Sequence, residues 1–331
     1  MKKIFLYDQD RALLIFLLLS NLLKDEIIYV TYKNKVEKLN KLKGKKLVFD
    51  SNDLLFKNRI KMAIKIKKFR REYKNLLNEI ECGKTRLYGI HYFELAQRIF
   101  YKESLIALEE GTATYSQFPV TLRGKIKYFL VDVLNIFFNI RERQDFKGKK
   151  IEKFYLTENL CKEMPEEFKE KAEVINLKNL WDNKIEEEQK LILDVFNFNE
   201  EILKKVTEDT IMLITQPVSE DGIISEEEKI EIYSKIIDRY KNQSIVIKPH
   251  PREKTDYSKY FLNCYVMKER YPIEILELVG IKIKKVVTLF STAAFGLGKN
   301  VAVDFYGTEV NEKLFKRFGT QDSLMKRNVF L

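Results

Sequence analysis

Cysteine and histidine are both scarce in this chain of 331 residues. The three cysteines, Cys82, Cys161 and Cys264, lie far apart, and there are only two histidines, His91 and His250. Neither the number nor the spacing of these residues fits a disulfide framework or a zinc site. The sequence therefore predicts no bound metal and a reduced, cytoplasmic protein.

The chain also lacks an apolar run of membrane-spanning length near its N-terminus. The apolar stretch at residues 11–23 is shorter than the run of about 20 residues that a spanning helix needs. Asp8 and Asp10 precede it, and residues 1–7 already have the pattern of a strand. A signal peptide would instead run from a basic start directly into its apolar region. We therefore expect a first strand followed by a buried helix.

Charge is abundant and unbalanced, with 60 Lys and Arg against 49 Asp and Glu and a net charge of +11. Such a balance favours nucleic acid, an anionic membrane surface or anionic small molecules as partners. A Lys- and Ile-rich composition typical of an AT-rich genome explains it equally well. Two basic segments with interspersed apolar residues, 56–73 and 122–143, suit either a membrane surface or a solvated helix face.

Apolar strand-like runs alternate with helical stretches through most of the chain, which predicts βαβ units and mainly parallel sheets. The number of strands favours two α/β lobes, at residues 1–205 and 206–310, with a helical tail at 311–331. A polar segment near 197–209 supplies the boundary. The expected strands are 4–7, 27–31, 46–49, 104–108, 153–156, 173–177, 211–215, 245–248, 264–266, 285–289 and 302–305.

A histidine between two prolines is the most distinctive local feature. The apolar strand at 245–248 ends in Lys248, Pro249, His250, Pro251 and Arg252. Proline fixes its own φ angle and restricts the residue before it, so His250 is expected on a stiff backbone just beyond a strand end. Ligands bind at that edge in α/β sheets. With two flanking cations, the corner favours binding of a phosphate or carboxylate; the alternative is a hydrogen-bonded, non-catalytic ring.

Small hydroxyl residues follow another expected strand. Ser291 and Thr292 come after 285–289, where side-chain hydroxyls and backbone N–H groups can bind an anion. The alternative is an ordinary helix start with small residues for tight packing. The following glycines and Lys299 have the wrong spacing for a Walker loop.

Two pairs of carboxylates also follow expected strands. Glu109 and Glu110 precede Gly111, and one of the pair should point into a cleft, where a carboxylate can act as a general base. Glu220 and Asp221 lie in the loop after 211–215. A solvated turn explains the first pair as well. The second pair can simply precede a helix at 226–240, with a capping box between Ser225 and Glu228.

Three of these motifs together resemble those of bacterial sialyltransferases, most closely glycosyltransferase family 52. Residues 109–111 look like the acidic-acidic-Gly motif, 248–252 like the His-Pro motif and 290–294 like the Ser-Ser/Thr motif, in the family's order. The resemblance covers roughly residues 105–306. It implies a GT-B-like α/β fold of two Rossmann-like lobes with a central cleft, the N-terminal lobe binding the acceptor and the C-terminal lobe CMP-sialic acid.

The resemblance also implies roles for single residues in an inverting, metal-independent displacement. His250 would contact the CMP phosphate and protonate or stabilise it as it leaves, and Ser291 and Thr292 would hold the same phosphate. Other residues of these corners are expected in the donor site, namely Lys248, Pro251, Arg252, Thr215, Gln216, Pro217 and Gly222.

The base that activates the acceptor stays open between the two carboxylate pairs. Related families use an acidic residue of the acidic-acidic-Gly motif, which matches Glu109 and Glu110. Family 52 also implicates a carboxylate in the loop after the donor-lobe proline, which corresponds to Glu220 or Asp221. We favour the first pair.

The expected partners are CMP-sialic acid, as donor substrate rather than cofactor, and a galactose-terminated surface glycan of lipooligosaccharide or capsule. Contact with the anionic inner membrane through the basic helices, and a homodimer, are compatible with the sequence. The alternatives are a polysialyltransferase or another capsule glycosyltransferase of the same fold. A non-catalytic membrane-surface or nucleic-acid binding protein ranks last, because no nucleic-acid module is recognisable.

Overall fold

The protein forms two compact units in the computed structural model, Met1–Val195 and Phe196–Leu331, called here the N-terminal and the C-terminal unit. The structure describes residues 1–50, 59–91, 93, 95–96, 99–100, 102–110, 151–157, 169–207, 209–291, 293–294 and 301–320.

The N-terminal unit contains a seven-stranded sheet, counted over its described residues, in the order β3-β2-β1-β4-β5-β6-β7. Every neighbouring pair is parallel. This is the order of a doubly wound α/β sheet, in which ligands bind beyond the carboxyl ends of the strands where the order reverses. The strands are β1 (Lys2–Leu6), β2 (Glu26–Tyr32), β3 (Lys45–Phe49), β4 (Thr85–Gly89), β5 (Leu105–Leu108), β6 (Ile151–Thr157) and β7 (Ala172–Ile175).

Helices pack against this sheet through apolar faces. The first, α1 (Asp10–Leu19), buries every residue from Ala12 to Leu18, and Phe16 stacks on Phe5 of β1 at 4.3 Å between ring centroids. The predicted strand and buried helix are confirmed. The other helical segments described in this unit are a 3-10 helix (Lys33–Lys41), α2 (Arg59–Glu72), α3 (Lys74–Glu81), α4 (Leu177–Asp182) and α5 (Glu186–Val195).

The C-terminal unit contains five strands among its described residues, in the order β10-β9-β8-β11-β12, and they are again all parallel. They are β8 (Ile211–Ile214), β9 (Ile245–Lys248), β10 (Tyr265–Val266), β11 (Lys285–Thr288) and β12 (Ala302–Phe305). The described helices are α6 (Glu201–Lys205), α7 (Glu226–Asp238), a 3-10 helix (Tyr257–Lys259), α8 (Glu274–Leu278) and α9 (Glu312–Phe318).

The central strands β8 and β9 of this second sheet are buried on both faces. All four residues of β8 and of β9 are buried, as expected for parallel strands. Tyr233 of α7 and Tyr257 are fully buried against this core. The predicted capping box of α7 is confirmed, since the Ser225 side chain accepts from the Glu228 N–H and the Glu228 carboxylate accepts from the Ser225 N–H.

All eleven strands expected from the sequence are present, with ends that differ by a few residues. The sequence missed β4. Its apolar core is only Leu87 and Tyr88, Arg86 interrupts the run, and Gly83 and Gly89 made it look like a loop. In the structure β4 pairs with both β1 and β5, and it therefore lies in the middle of the sheet.

The two basic segments have different outcomes. The first contains α2, on which Lys65, Lys67 and Lys68 are exposed and Ile64 is 61% exposed, whereas Phe69 is buried. The second, at 122–143, lies outside the described residues. No described helix is long and apolar enough to cross a membrane. Contact with a membrane surface stays a prediction, as does a homodimer.

Candidate functional site

Three loops begin at the same level of the C-terminal sheet. Ile214 of β8 pairs with Lys248 of β9 on one side and with Thr288 of β11 on the other. The loops that follow therefore leave the same carboxyl edge side by side. The expected donor residues Thr215, Gln216, Pro217, His250, Pro251, Arg252 and Ser291 all lie in these loops, and β8 is the strand at which the order reverses.

The His250 ring is held in one protonation pattern by its own turn. Its Nδ1 accepts a hydrogen bond from the backbone N–H of Arg252 at 3.1 Å. Burial, together with the charge of Arg252, lowers the pKa of His250 to about 4. The ring is therefore neutral at neutral pH, and because Nδ1 accepts, the proton sits on Nε2. His250 thus offers an Nε2–H donor at the carboxyl edge.

A carboxylate that sequence reasoning did not single out lies beneath this corner. Glu253 is 2% exposed and accepts hydrogen bonds from the backbone N–H of His250, from the Thr215 hydroxyl at 2.5 Å and from the Tyr257 hydroxyl at 2.6 Å. Burial raises its pKa, and these hydrogen bonds and the charge of Lys229 oppose that effect. One sequence signal could have revealed it, because Glu253 directly follows the Pro-His-Pro-Arg run and can turn back on it.

Lys229 of α7 neutralises the carboxylates around this corner. Its ammonium is fully buried and lies 2.9 Å from Glu220, 3.1 Å from Glu226 and 3.9 Å from Glu253. It also contacts the Thr255 hydroxyl. A lysine is buried this deeply only when its charge is paired. The sequence could not reveal this residue, because one lysine on a charged helix face is unremarkable.

Glu220 ties the loop after β8 to the loop after β9. Its carboxylate accepts from the Lys254 N–H at 2.7 Å and from Lys229. Burial would raise its pKa, but the Lys254 N–H and Lys229 outweigh burial and lower the pKa of Glu220 to about 2. A general base works best with a pKa near the operating pH. These contacts favour a structural role for Glu220.

The two cations that flank His250 are both engaged. The Lys248 ammonium donates to the Tyr271 carbonyl oxygen at 2.8 Å and lies 5.4 Å from the Tyr271 ring. Arg252 forms a two-pronged pair with Asp221, at 2.5 and 3.2 Å. The Arg252 side chain is 62% exposed, and so it stays accessible to an anion. Gly222, with φ of +70°, completes the turn that presents Asp221.

Backbone contacts place most of the remaining residues that the sequence predicts in the donor site. The N–H of Gln216 donates to the buried Tyr233 hydroxyl at 2.8 Å, and the Pro217 carbonyl accepts from the Asp221 N–H at 2.9 Å. Ser291 is buried, and its N–H donates to the Thr288 hydroxyl at 3.2 Å. Pro251 is exposed. Thr292 lies outside the described residues.

The carboxylates Glu109 and Glu110 of the N-terminal unit lie at the carboxyl end of β5 in different surroundings. Glu109 is 0% exposed and contacts Arg11 of α1. It also accepts from the Thr157 N–H at 2.5 Å and from the Thr157 hydroxyl at 2.8 Å. This carboxylate holds the ends of β5 and β6 and the start of α1 together.

Glu110 is half-buried, and it has the chemistry of a proton acceptor. Burial, aided by the negative charge of Asp8 at the end of β1 and opposed by Lys35, raises the pKa of Glu110 to about 7. A carboxylate with such a pKa is ionised in about half of the molecules at neutral pH and binds a proton far better than an ordinary one.

No group of three or more His, Cys, Asp and Glu side chains among the described residues could hold a metal ion.

Comparison with protein families gives one match over most of the chain. The sequence profile described as Glycosyltransferase family 52 matches residues 11–314. A Haemophilus influenzae (strain Rd) protein described as uncharacterized is 38% identical over 244 residues, which cover 74% of this chain and 75% of that protein.

Solved structures with the same fold include two from Photobacterium. The α/β-galactoside α-2,3-sialyltransferase of Photobacterium phosphoreum has a TM-score of 0.54 at 14% identity, covering 96% of this chain and 94% of its own. The 2,6-sialyltransferase of Photobacterium sp. JT-ISH-224, in a ternary complex with CMP and lactose, has a TM-score of 0.55 at 12% identity, covering 96% and 75%. The predicted α/β fold of the GT-B class is thereby confirmed.

The different surroundings of Glu109 and Glu110 predict opposite effects on stability. Glu109→Ala removes a buried carboxylate that Arg11 contacts, and it should lower the free energy of unfolding by about 3–5 kcal/mol. Glu110→Ala is the matched control. In the folded protein the Glu110 carboxyl keeps its proton up to about pH 7, whereas in the unfolded chain it loses the proton near pH 4.5. The cost of ionising Glu110 in the folded state therefore grows as the pH rises through that window.

At pH 8 we accordingly expect Glu110→Ala to leave the stability unchanged or to raise it. Urea denaturation followed by circular dichroism measures both variants. Equal losses of stability would contradict this division between a structural and a chemically available carboxylate.

Proposed function

Because the chain belongs to glycosyltransferase family 52, we propose that it transfers sialic acid, with inversion, from CMP-sialic acid to a terminal galactose of a surface glycan. The observation that carries this proposal is the Nε2–H donor of His250. It lies at the carboxyl edge of a parallel sheet, next to the loop that begins at Thr215, and the loop that holds Ser291 leaves the same edge on the other side of the Thr215 loop. This edge suits a leaving phosphate, because the Nε2–H of His250 and the accessible Arg252 side chain lie there.

On the donor side, His250 interacts with the phosphate of CMP. As the bond between the anomeric carbon and the phosphate oxygen breaks, negative charge grows on that oxygen and the hydrogen bond from Nε2–H strengthens. A bound phosphate favours the protonated ring, whereas burial, the charge of Arg252 and the hydrogen bond that Nδ1 accepts from the Arg252 N–H favour the neutral ring. The donor charge is thus handled by protein groups, and the proposed reaction needs no added metal.

On the acceptor side, Glu110 is the base. The hydroxyl oxygen of the acceptor forms the new bond to the anomeric carbon, its proton passes to the Glu110 carboxylate, and CMP departs with the electrons of the broken bond. The pKa of Glu110, near 7, suits this role. Glu220 is held as an anion by Lys229, and Asp221 is paired with Arg252, which makes both of them weaker candidates.

The acceptor is proposed by analogy with a structural neighbour of the same fold. The Photobacterium 2,6-sialyltransferase, which has the same fold, was crystallised with CMP and lactose. Lactose ends in galactose and is therefore the first acceptor to test. The alternatives within this family are an enzyme that builds a polymer of sialic acid and an enzyme that uses another nucleotide sugar as its donor.

The direct test is an assay of the purified protein with CMP-sialic acid and lactose in buffer containing EDTA. We expect release of CMP together with formation of sialyllactose, and no reaction with UDP-galactose or UDP-N-acetylglucosamine. His250→Ala should lower kcat by about 10²–10³-fold, the range typical of a lost hydrogen-bond donor to growing negative charge. Ser258→Ala, an exposed change near the same corner, is the control that should keep the wild-type rate.

Two results would count against this activity. Failure to bind CMP, together with no transfer to any galactoside, would exclude a sialyltransferase. Turnover with a UDP-sugar alone would favour another glycosyltransferase of the same fold.

The choice of base predicts a pH profile. The value of kcat/KM should rise with pH and level off above pH about 7, because Glu110 must lose its proton before it can accept one from the acceptor. Glu110→Gln should remove this limb and lower kcat by about 10²–10⁴-fold. Glu110→Asp keeps a carboxylate and should keep the limb at a reduced rate. A profile that survives in Glu110→Gln but disappears in Asp221→Asn would assign the base to Asp221 instead.

A further inference from the structure

We propose that Glu253 is the positioning residue of His250: its buried carboxylate, neutralised by Lys229, closes the turn that fixes the imidazole as the Nε2–H tautomer. The catalytic consequence rests on the proposed function, but the claim about the tautomer does not. Glu253 acts through another residue, since its carboxylate is itself fully buried and bound to protein donors.

Two hydrogen bonds between His250 and Glu253 close the turn from both ends. The Glu253 carboxylate accepts from the N–H of His250, and the Glu253 N–H donates to the carbonyl of His250 at 2.9 Å. Two hydrogen bonds between the same two residues fix the backbone that runs between them, through Pro251 and Arg252. Pro251 restricts this backbone further, because its ring locks its own φ angle.

The turn also determines which ring nitrogen of His250 carries the proton. The closed turn places the Arg252 N–H 3.1 Å from Nδ1 of His250. A backbone N–H is always a donor, so Nδ1 must accept and Nε2 must carry the proton in the neutral ring. The same logic assigns the tautomer of metal-bound and catalytic histidines, where the bond at one nitrogen decides what the other presents.

The Glu253 carboxylate also links His250 to the neighbouring loop. The carboxylate oxygen that accepts from the His250 N–H also accepts from the Thr215 hydroxyl. Thr215 directly follows β8, and its own N–H donates to the Lys248 carbonyl at 3.2 Å. Glu253 therefore sets the position of the histidine relative to the loop expected to hold the donor.

The Glu253 carboxylate accepts from three protein donors and lies 3.9 Å from the Lys229 ammonium. Burial raises the pKa of Glu253 and would favour a proton on it, which would turn one accepting oxygen into a donor. Lys229 and the hydroxyl of Tyr257 oppose this. Glu220 and Glu226 face the same ammonium, so the buried group is a connected set of charges rather than one isolated pair.

Nuclear magnetic resonance can test the proposal directly, because the chain has only two histidines. Long-range 1H–15N spectra of 15N-histidine-labelled protein at pH 7 report which ring nitrogen carries the proton. In the wild type we expect His250 as a single Nε2–H tautomer. His91, buried in the N-terminal unit, serves as the internal reference for correct folding.

The decisive variant is Glu253→Gln, which keeps the size of the side chain but replaces one accepting oxygen by a donating amide. We expect the Nδ1–H tautomer of His250 to appear and His91 to remain unchanged. Tyr257→Phe is the matched control, since it removes one buried donor to Glu253 but leaves the carboxylate on the His250 N–H. It should keep the Nε2–H tautomer.

Kinetics supply a second readout. With CMP-sialic acid and lactose, Glu253→Gln should lower kcat by about 10²-fold, as expected for a displaced catalytic group, and leave KM unchanged. A purely structural role would lower stability without changing the tautomer. If the wild type transfers no sugar, the proposed function fails while the tautomer test still stands.

Two outcomes would overturn the proposal. One is a wild-type His250 that is protonated on Nδ1 or present as a mixture, a result that needs no variant and so holds even if Glu253→Gln does not fold. The other is a folded Glu253→Gln whose His250 keeps the wild-type tautomer.

Discussion

The parallel pairing of β8 with β9 and β11 is the constraint on which the candidate site depends. It sets three loops at one level of the C-terminal sheet, so that Thr215, His250 and Ser291 leave the same edge. Ion pairs between buried side chains then hold these loops in place. Lys229 and the carboxylates of Glu220 and Glu253 tie the loop after β8 to the loop after β9. Each of these charges would be costly to bury without an oppositely charged partner.

Environment, rather than residue type, divides the carboxylates into structural and chemical groups. Glu109 and Glu110 are adjacent, yet one is bound to Arg11 and Thr157 and the other has a pKa near 7. Glu220 is a tightly held anion with a pKa of about 2. Enzymes commonly separate the roles of similar acids in this way. The proposal that Glu110 is the base rests on this division.

Local sequence patterns were sufficient for most of the fold but for only part of the site. Apolar β-branched runs revealed β8, β9 and β11, and the residues after them mark the carboxyl edge. The strand β4 was missed because Arg86 and flanking glycines hide a short buried core. Lys229 was missed because its importance depends on contacts between α7 and two loops, which no local pattern encodes. Glu253 was missed although it directly follows the Pro-His-Pro-Arg run. Lys248 looked like an anion ligand in sequence, but its ammonium is bound to the Tyr271 carbonyl.

The central proposal is that the phosphate of CMP accepts a hydrogen bond from the Nε2–H of His250. The most direct measurement is a titration of 15N-histidine-labelled protein with CMP, followed through the two imidazole rings. The account predicts that the His250 resonances shift, that the pKa of His250 rises from its value of about 4, and that His91 does not respond. Binding of CMP, established by calorimetry, without any change at His250 would contradict it.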